Sequence, residues 1–389
     1  MSPAFTPDGG VSGHYSTVLN AAIRRAVRCT GLAINSFIRA SRAFGKTNRE
    51  NFLRNRHTFG AVLAATLGAT LVLASPTLLA AKPGGGGGSG DACNTPGLDF
   101  PAFAYRIPGS GRNPSTINVA DATGKCSRMV TAGSNPKFSY PIDGTANKGR
   151  VVWLEGNTIY AVDLTVGAGN IITVDARRPL TVNAGCCALD LSKDGQTVYF
   201  TDTDTSLATL NVRTLSVNQI FALPSGDLSW FFMEASVNGD GTQLYATKYG
   251  FQSPNEGASQ LVRVDLTTAP ATAVLLREWL SHPGYGANIF SPAADQYADR
   301  VAFLLYIEGT NNCTPLVVTN RDGTPLIYGP TVPARYGQVP TWVGNNVVMV
   351  RRGPMDGSGK CGSTTSLAQI DLTTNAETVL TTGYNPNGR

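Results

Sequence analysis

Histidine is almost missing from this chain: three residues in 389, His14, His57 and His282. Beyond residue 81 only His282 remains. That excludes multi-histidine metal centres there and makes any Ser-His-Asp or Cys-His mechanism depend on one side chain. Charge is sparse as well, at 15% of residues, and none falls within 58–81. The net charge of +5 is unevenly placed: residues 1–57 hold nine Lys/Arg and two acids, so the remainder carries 22 bases and 24 acids, a net of −2. A body of that balance does not point to a nucleic-acid partner. After residue 90 no segment repeats apolar residues at helical spacing, which points to an all-β chain.

The N-terminal residues read as an address. Residues 1–57 form a basic extension whose Arg-rich, acid-poor stretch from Val18 to Lys46 has the composition of a transit peptide; the alternative, adopted as the expectation, is an over-long gene start. Residues 58–81, TFGAVLAATLGATLVLASPTLLAA, follow Arg54, Arg56 and His57, the order of a secretory signal peptide. The same run is long enough to span a bilayer, at about 20 residues, so a membrane contact is expected only if it stays uncleaved. Residues 82–95 contain GGGGGSG at 84–90, a flexible linker.

Residues 96–389 carry an internal repeat. An apolar triplet recurs at Phe103-Ala104-Tyr105, Val151-Val152-Trp153, Val198-Tyr199-Phe200, Leu244-Tyr245-Ala246, Val301-Ala302-Phe303 and Val347-Val348-Met349, with spacings of 48, 47, 46, 57 and 46. A second piece follows each, as in Val119-Ala120-Asp121, Ala161-Val162-Asp163, Arg263-Val264-Asp265 and Gln369-Ile370-Asp371. Four short β stretches in 40–50 residues make the unit of a propeller blade. The 294 residues from 96 to 389 divide into six units of 49. The expectation is a six-bladed β-propeller of four-stranded blades.

Turn signals precede the triplets: Leu191-Ser192-Lys193-Asp194-Gly195-Gln196-Thr197 and Val237-Asn238-Gly239-Asp240-Gly241-Thr242-Gln243. Asp-Gly predicts a tight hairpin with positive φ at both central residues. Val339-Pro340-Thr341-Trp342-Val343-Gly344-Asn345-Asn346 is another copy, and Phe290-Ser291-Pro292 opens a further one, lengthened by an insertion ending at Arg300 that accounts for the 57-residue spacing. These segments resemble the WD-repeat-like propeller repeat of the TolB-like family, over nearly all of residues 96–389. The resemblance implies a periplasmic or secreted protein of the cell envelope that binds a protein or peptide partner, as a monomer and without a cofactor. The chain ends support one closed ring. Tyr384-Asn385-Pro386-Asn387-Gly388 reads as a first strand lacking its second, and Leu98-Asp99-Phe100 runs into the first triplet with no strand before it. The C-terminal segment is therefore expected to complete the first blade.

Six cysteines lie beyond the signal segment and are disulfide candidates: Cys93, Cys126, Cys186, Cys187, Cys313 and Cys361. Repeat position places Cys93 within reach of Cys126, and Cys313 and Cys361 on neighbouring blades. Cys186 and Cys187 either form a strained vicinal bond or point to opposite faces and pair elsewhere.

In a propeller the first strand of each blade lines the channel, and the connections entering it ring the channel mouth. The relevant segments are 134–147, 181–187, 223–234, 278–289 and 329–340. They hold Phe138 and Tyr140, Phe231 and Phe232, and the expected partner-binding rim of Trp230, Trp279, His282, Tyr285, Arg335 and Tyr336. The competing reading has half of these packing between blades. No catalytic residue and no metal ligand is expected: Asp202 and Asp204 lack the loop of a calcium site. The alternative function is a propeller lyase or metal-dependent hydrolase working in the channel.

Overall fold

The structure, a computed structural model, describes residues 92–388 except 95–97, 111–112, 182–183, 186–187, 204, 224–229, 254–255, 283–284, 297–298, 308–314, 329–334 and 354–365. The expected basic extension, signal segment and most of the linker lie outside the described residues, as do Cys186, Cys187, Cys313 and Cys361. Among the described residues no helix is long and apolar enough to cross a membrane.

Each apolar triplet lies on the second strand of a blade, where β-branched and aromatic side chains pack on both sheet faces. These strands are β1 (Phe103–Ile107), β5 (Lys148–Glu155), β10 (Thr197–Thr203), β14 (Gln243–Ser253), β18 (Arg300–Ile307) and β22 (Val347–Gly353). The middle residues Ala104, Val152, Tyr199, Tyr245, Ala302 and Val348 are all buried. The third strands, carrying the second recurring piece, are β2 (Thr116–Ala120), β6 (Thr158–Val166), β11 (Ser206–Asn211), β15 (Glu256–Asp265), β19 (Leu316–Asn320) and β23 (Ser366–Asp371).

Fourth strands close the outside: β3 (Ser127–Ala132), β12 (Val217–Ala222), β16 (Thr272–His282), β20 (Pro325–Tyr328) and β24 (Ala376–Thr382). In the second blade this strand is broken into β7 (Ile172–Val174) and β8 (Arg178–Thr181), both paired to β6. The first strands are β4 (Lys137–Ser139), β9 (Leu189–Leu191), β13 (Trp230–Val237), β17 (Tyr285–Ala294), β21 (Arg335–Gly344) and, for the first blade, β25 (Tyr384–Gly388). β25 pairs antiparallel with β1, Gly388 opposite Phe103 and Asn387 opposite Ala104, so the first blade has the order β25-β1-β2-β3. Going round the axis, β25, β4, β9, β13, β17 and β21 each touch the next, and β21 touches β25. The described strands form six blades in a ring.

Two sequence expectations change in detail. The two Asp-Gly turns before the triplets are not two-residue hairpins, whereas Asn345-Asn346 is one, with Gly344 opposite Val347. The Ser192 N–H donates to Thr197 O (2.8 Å) and the Gly195 N–H to Ser192 O (2.9 Å), and Asp194 Oδ1 accepts the Gln196 N–H (3.0 Å). Four residues thus loop out, and only Gly195 takes a positive φ, 71°. The aspartate caps the loop instead of sharing the left-handed conformation. Asn238–Gln243 repeats the design, with Asn238 N–H on Gln243 O (3.0 Å), Thr242 N–H on Asp240 Oδ1 (2.9 Å) and Gly241 at φ 74°. The turn ending at Arg300 has the same span as its neighbour, because the Asp295 N–H donates to Arg300 O just as Asn238 does to Gln243. It contains no insertion. The 57-residue spacing instead comes from the long strands β14 to β17, 10 or 11 residues each, in which β16 runs into β17 through the pairs Ser281–Gly286 and His282–Tyr285.

Cys93 and Cys126 form a disulfide. It joins the segment before β1 to the β2–β3 turn, and both sulfurs lie in the core shared by the first two blades, with Phe100, Trp153 and Leu164. Asn170 of the second blade donates to Cys93 O (2.6 Å), so the incoming chain straps two blades together. Closing 33 residues stabilises the fold by about 3–4 kcal/mol in the chain-entropy account. Urea unfolding of a Cys93→Ser, Cys126→Ser double variant should show that loss without reductant, and added reductant should lower wild type to the level of the variant. Equal stability of variant and oxidised wild type would remove the strap from the account.

Candidate functional site

The propeller has two unlike faces. The turns from first to second and third to fourth strands lie on one side, while the connections between blades and between second and third strands emerge on the other. The expected rim belongs to this connection face. Trp230, Tyr285 and Arg335 are the first residues of β13, β17 and β21, the inner strands of three successive blades, and Tyr336 follows Arg335. Trp279 and His282 lie at the end of β16, with His282 directly opposite Tyr285. The side chains of Trp279, His282, Tyr285, Arg335 and Tyr336 lie outside the described structure.

Trp230 is described in full. It is 9% exposed and packs with Leu223, Phe232 and Leu207, while the Lys248 ammonium sits 4.6 Å from its ring centre. A cation over an indole face is attractive and keeps a charge at the edge of an apolar cluster. Beside it Phe231 meets Tyr249 edge-on at 5.8 Å, and burial raises the Tyr249 phenol above its ordinary pKa. Phe138 and Tyr140 stack at 6.4 Å, with Phe138 buried in the core between the first two blades. Phe138 is thus a packing residue, and Trp230 both packs and carries a charge.

The channel presents different chemistry. Inner strands expose one edge to it, and unpaired backbone N–H groups there need acceptors. Asp190 of β9 accepts the Val237 N–H of β13 (2.8 Å). At the equivalent place one blade on, Ser236 Oγ accepts the Ala294 N–H of β17 (3.0 Å). Glu234 accepts the Ser291 N–H, and Asn387 Oδ1 accepts the Phe138 N–H (2.6 Å), which joins β25 to β4. Lys137 lies 3.6 Å from Asp190, both largely buried, and completes the β4–β9 contact. Trp342 Nε1 donates to Ala293 O (2.9 Å) across β21 and β17. Lys137, Asp190, Ser236, Thr341, Trp342 and Asn387 all line the channel. Desolvation, and then the charges of Asp190 and Asp194, push the Tyr199 phenol up to about 12, so it stays neutral. Among the described residues no cluster of three His, Cys, Asp or Glu could hold a metal ion. The inter-blade acceptors Asp190, Ser236 and Glu234 were not singled out from the sequence. The shared repeat position of Asp190 and Ser236, nine residues before Tyr199 and Tyr245, is the signal that would have found two of them.

Solved structures of differing activity align with this chain. No family model matches the sequence and no curated protein does. TolB from Acinetobacter baumannii aligns over 74% of this chain and 65% of its own, at 16% identity and a TM-score of 0.45. An oligogalacturonate lyase in complex with manganese aligns over 64% of this chain and 84% of its own, at 11% identity and a TM-score of 0.32. Prolyl oligopeptidase B from Galerina marginata aligns over 73% of this chain and 50% of its own, at 9% identity and a TM-score of 0.38. The chain therefore spans 65% of the TolB structure and half of the peptidase.

Proposed function

We propose that this chain is an exported, non-catalytic propeller that binds a protein or peptide partner in the cell envelope through its connection face. The observation that carries the reading is what the channel carboxylates do. Asp190 and Glu234 each accept a backbone N–H from the next blade, and Asp190 also faces Lys137. A carboxylate held this way braces the ring and is poorly placed to exchange protons with a substrate. The connection face, by contrast, gathers Trp230, Tyr285, Arg335 and the end of β16 at neighbouring blade ends. Trp, Tyr and Arg are the residues that carry most binding energy at protein interfaces.

Export is supported by the apolar run at 58–81 and by a disulfide placed just beyond the linker, since such bonds persist in oxidising compartments. The working protein is proposed to be a monomer in the periplasm or outside the cell, with no cofactor and no nucleic-acid partner.

The test is capture from cell-envelope extracts with three immobilised forms: wild type, Trp279→Ala and the opposite-face control Asp240→Ala. A partner held by wild type and the control, and reduced at least about tenfold by Trp279→Ala, would support the connection face. A partner captured equally by all three forms would place binding elsewhere.

A further inference from the structure

The chain enters the propeller on one particular face. Cys93 is bonded to Cys126 in the β2–β3 turn, and Asn170 in the β6–β7 turn donates to Cys93 O (2.6 Å). Turns from third to fourth strands lie on the side opposite the connection face, so residues 82–91 lead to this turn face, between the first two blades. Their Gly-rich composition implies a coil whose ends average about 16–19 Å apart. A domain of about 300 residues is roughly 50 Å across. A tether that short does not pass round the ring, so whatever holds the apolar run 58–81 meets the turn face.

Around the point of entry that face is apolar. Ile171, next to Asn170, is 64% exposed, the highest value among the exposed large apolar side chains described. Leu215 stands in the β11–β12 turn of the third blade at 49% exposure, and Val217 follows it at 45%. Leu215 also holds a positive φ, 59°. The equivalent residue in the sixth blade is Asn375, again at φ 59°, and asparagine accepts that backbone better than leucine does. The two turns are otherwise built alike. Asn211 Oδ1 accepts the Arg213 and Thr214 N–H groups, as Asp371 Oδ1 accepts those of Thr373 and Thr374. The third blade thus keeps an exposed leucine where the backbone disfavours one.

Charge divides along the same line. Turns and strand starts of the first three blades expose Lys125, Lys148, Lys193 and Arg213. The exposed acids beside them are Asp99, Asp194 and Asp143, the last shared by Arg150 and Arg213. The turns of the other three blades carry Asp240, Asp265, Asp322 and Asp371, and their exposed base, Arg321, is paired with Asp299.

We propose that the turn face of the first three blades rests on an anionic lipid bilayer, with residues 58–81 retained as the anchor. Ile171, Leu215 and Val217 enter the boundary between headgroups and acyl chains, which interfacial segments reach to a depth of about 5–10 Å. Lys125, Lys148, Lys193 and Arg213 meet the anionic headgroups. A surface of this size binds weakly by itself, but a short tether makes the contact intramolecular. The connection face then points away from the membrane, and the docking does not depend on any partner bound there.

The full chain, reconstituted through residues 58–81 into vesicles of phosphatidylcholine and phosphatidylglycerol, tests the proposal with lipids brominated near the carbonyl. The indole introduced by Leu215→Trp should lose emission relative to the same variant in unbrominated vesicles. The indole introduced by Asn375→Trp, across the ring, should not. Ile171→Trp should behave as Leu215→Trp does, and it decides should that variant not fold. Adding Leu215→Asn to Ile171→Trp should reduce the quenching with no fall in melting temperature. Vesicles of phosphatidylcholine alone should quench less. Absence of quenching in both the Leu215→Trp and Ile171→Trp variants, or equal quenching in Asn375→Trp, would overturn the proposal and leave the patch to a protein occupant. Equal quenching without phosphatidylglycerol would overturn the role of the bases. Sequencing the amino terminus of the exported protein completes the test, since a start beyond residue 81 would overturn the anchor.

Discussion

Removal of residues 382–389 is expected to leave a chain with no cooperative melting transition. The deleted segment is β25, the inner strand of the first blade, and its loss strips β1 of its partner along Phe103 to Arg106. It also removes Asn387, which holds the Phe138 backbone and so links the first blade to the second. Each lost backbone hydrogen bond costs on the order of 1 kcal/mol net, and the bared edge of β1 adds an aggregation site. A domain's total stability is only about 5–15 kcal/mol, so losing a strand and one inter-blade link takes most of it. Calorimetry or circular dichroism on the truncated chain is the measurement. A transition within a few degrees of wild type would show that the ring does not depend on this strand.

Arg150→Met should be the most damaging single substitution on the turn face. The Arg150 side chain is 4% exposed and makes a two-pronged pair with Asp163, Nε to Oδ1 at 2.6 Å and a terminal nitrogen to Oδ2 at 2.8 Å. Its other terminal nitrogen donates to Gly195 O, in the capped turn of the next blade, at 2.5 Å. Methionine would keep the apolar stem but leave Asp163 with Arg178, 3.6 Å away, as its remaining cation. Breaking a buried pair from one side costs about 3–5 kcal/mol; the partial exposure of Asp163 and the neighbouring Arg178 place this case near 3 kcal/mol. Burial acts to raise the Asp163 pKa, but hydrogen bonds and charge from Arg150, with the charge of Arg178, outweigh it and hold the pKa below the ordinary aspartate value. A depressed folded-state pKa gives stability that is present above the unfolded value, about 3.9, and is lost as pH falls through the folded one. Urea midpoints of wild type and Arg150→Met should therefore lie far apart at pH 7 and draw together below about pH 4. A gap that stays constant with pH would mean that packing, not the ion pair, sets the difference.

The blade count was legible because each triplet must sit on a strand buried on both sides, and that demand repeats once per blade regardless of other sequence drift. The link from Cys93 to Cys126 was legible for a related reason: repeat position places the β2–β3 turn near the incoming chain. The bonds that lock blade to blade were not. Arg150 and Arg300 stand immediately before their triplets, and both reach a carbonyl in the next blade's first turn, Gly195 O and Asn345 O. Other blades put Thr197 or Gln243 in that place, so the repeat supplies the position without announcing the role. The 57-residue spacing misled for a physical reason as well. Sequence comparison shows that residues have been added but not where a hairpin absorbs them, and strands β14 to β17 lengthened in register while the turn before Arg300 kept its span. Of the rim residues expected from the sequence, Trp230, Tyr285 and Arg335 begin the inner strands of three neighbouring blades.

The pairing of β25 with β1 also bears on how the chain could be rewired. Gly388 lies opposite Phe103, so the last strand ends where the first blade's second strand begins, as in an ordinary hairpin. A short turn joining the two would make the first blade continuous, and new ends could then be opened in any connection between blades. Such circularly permuted forms would keep every strand pair while releasing the fold from its order of synthesis, so the amino terminus with its tether could be moved from one blade to another.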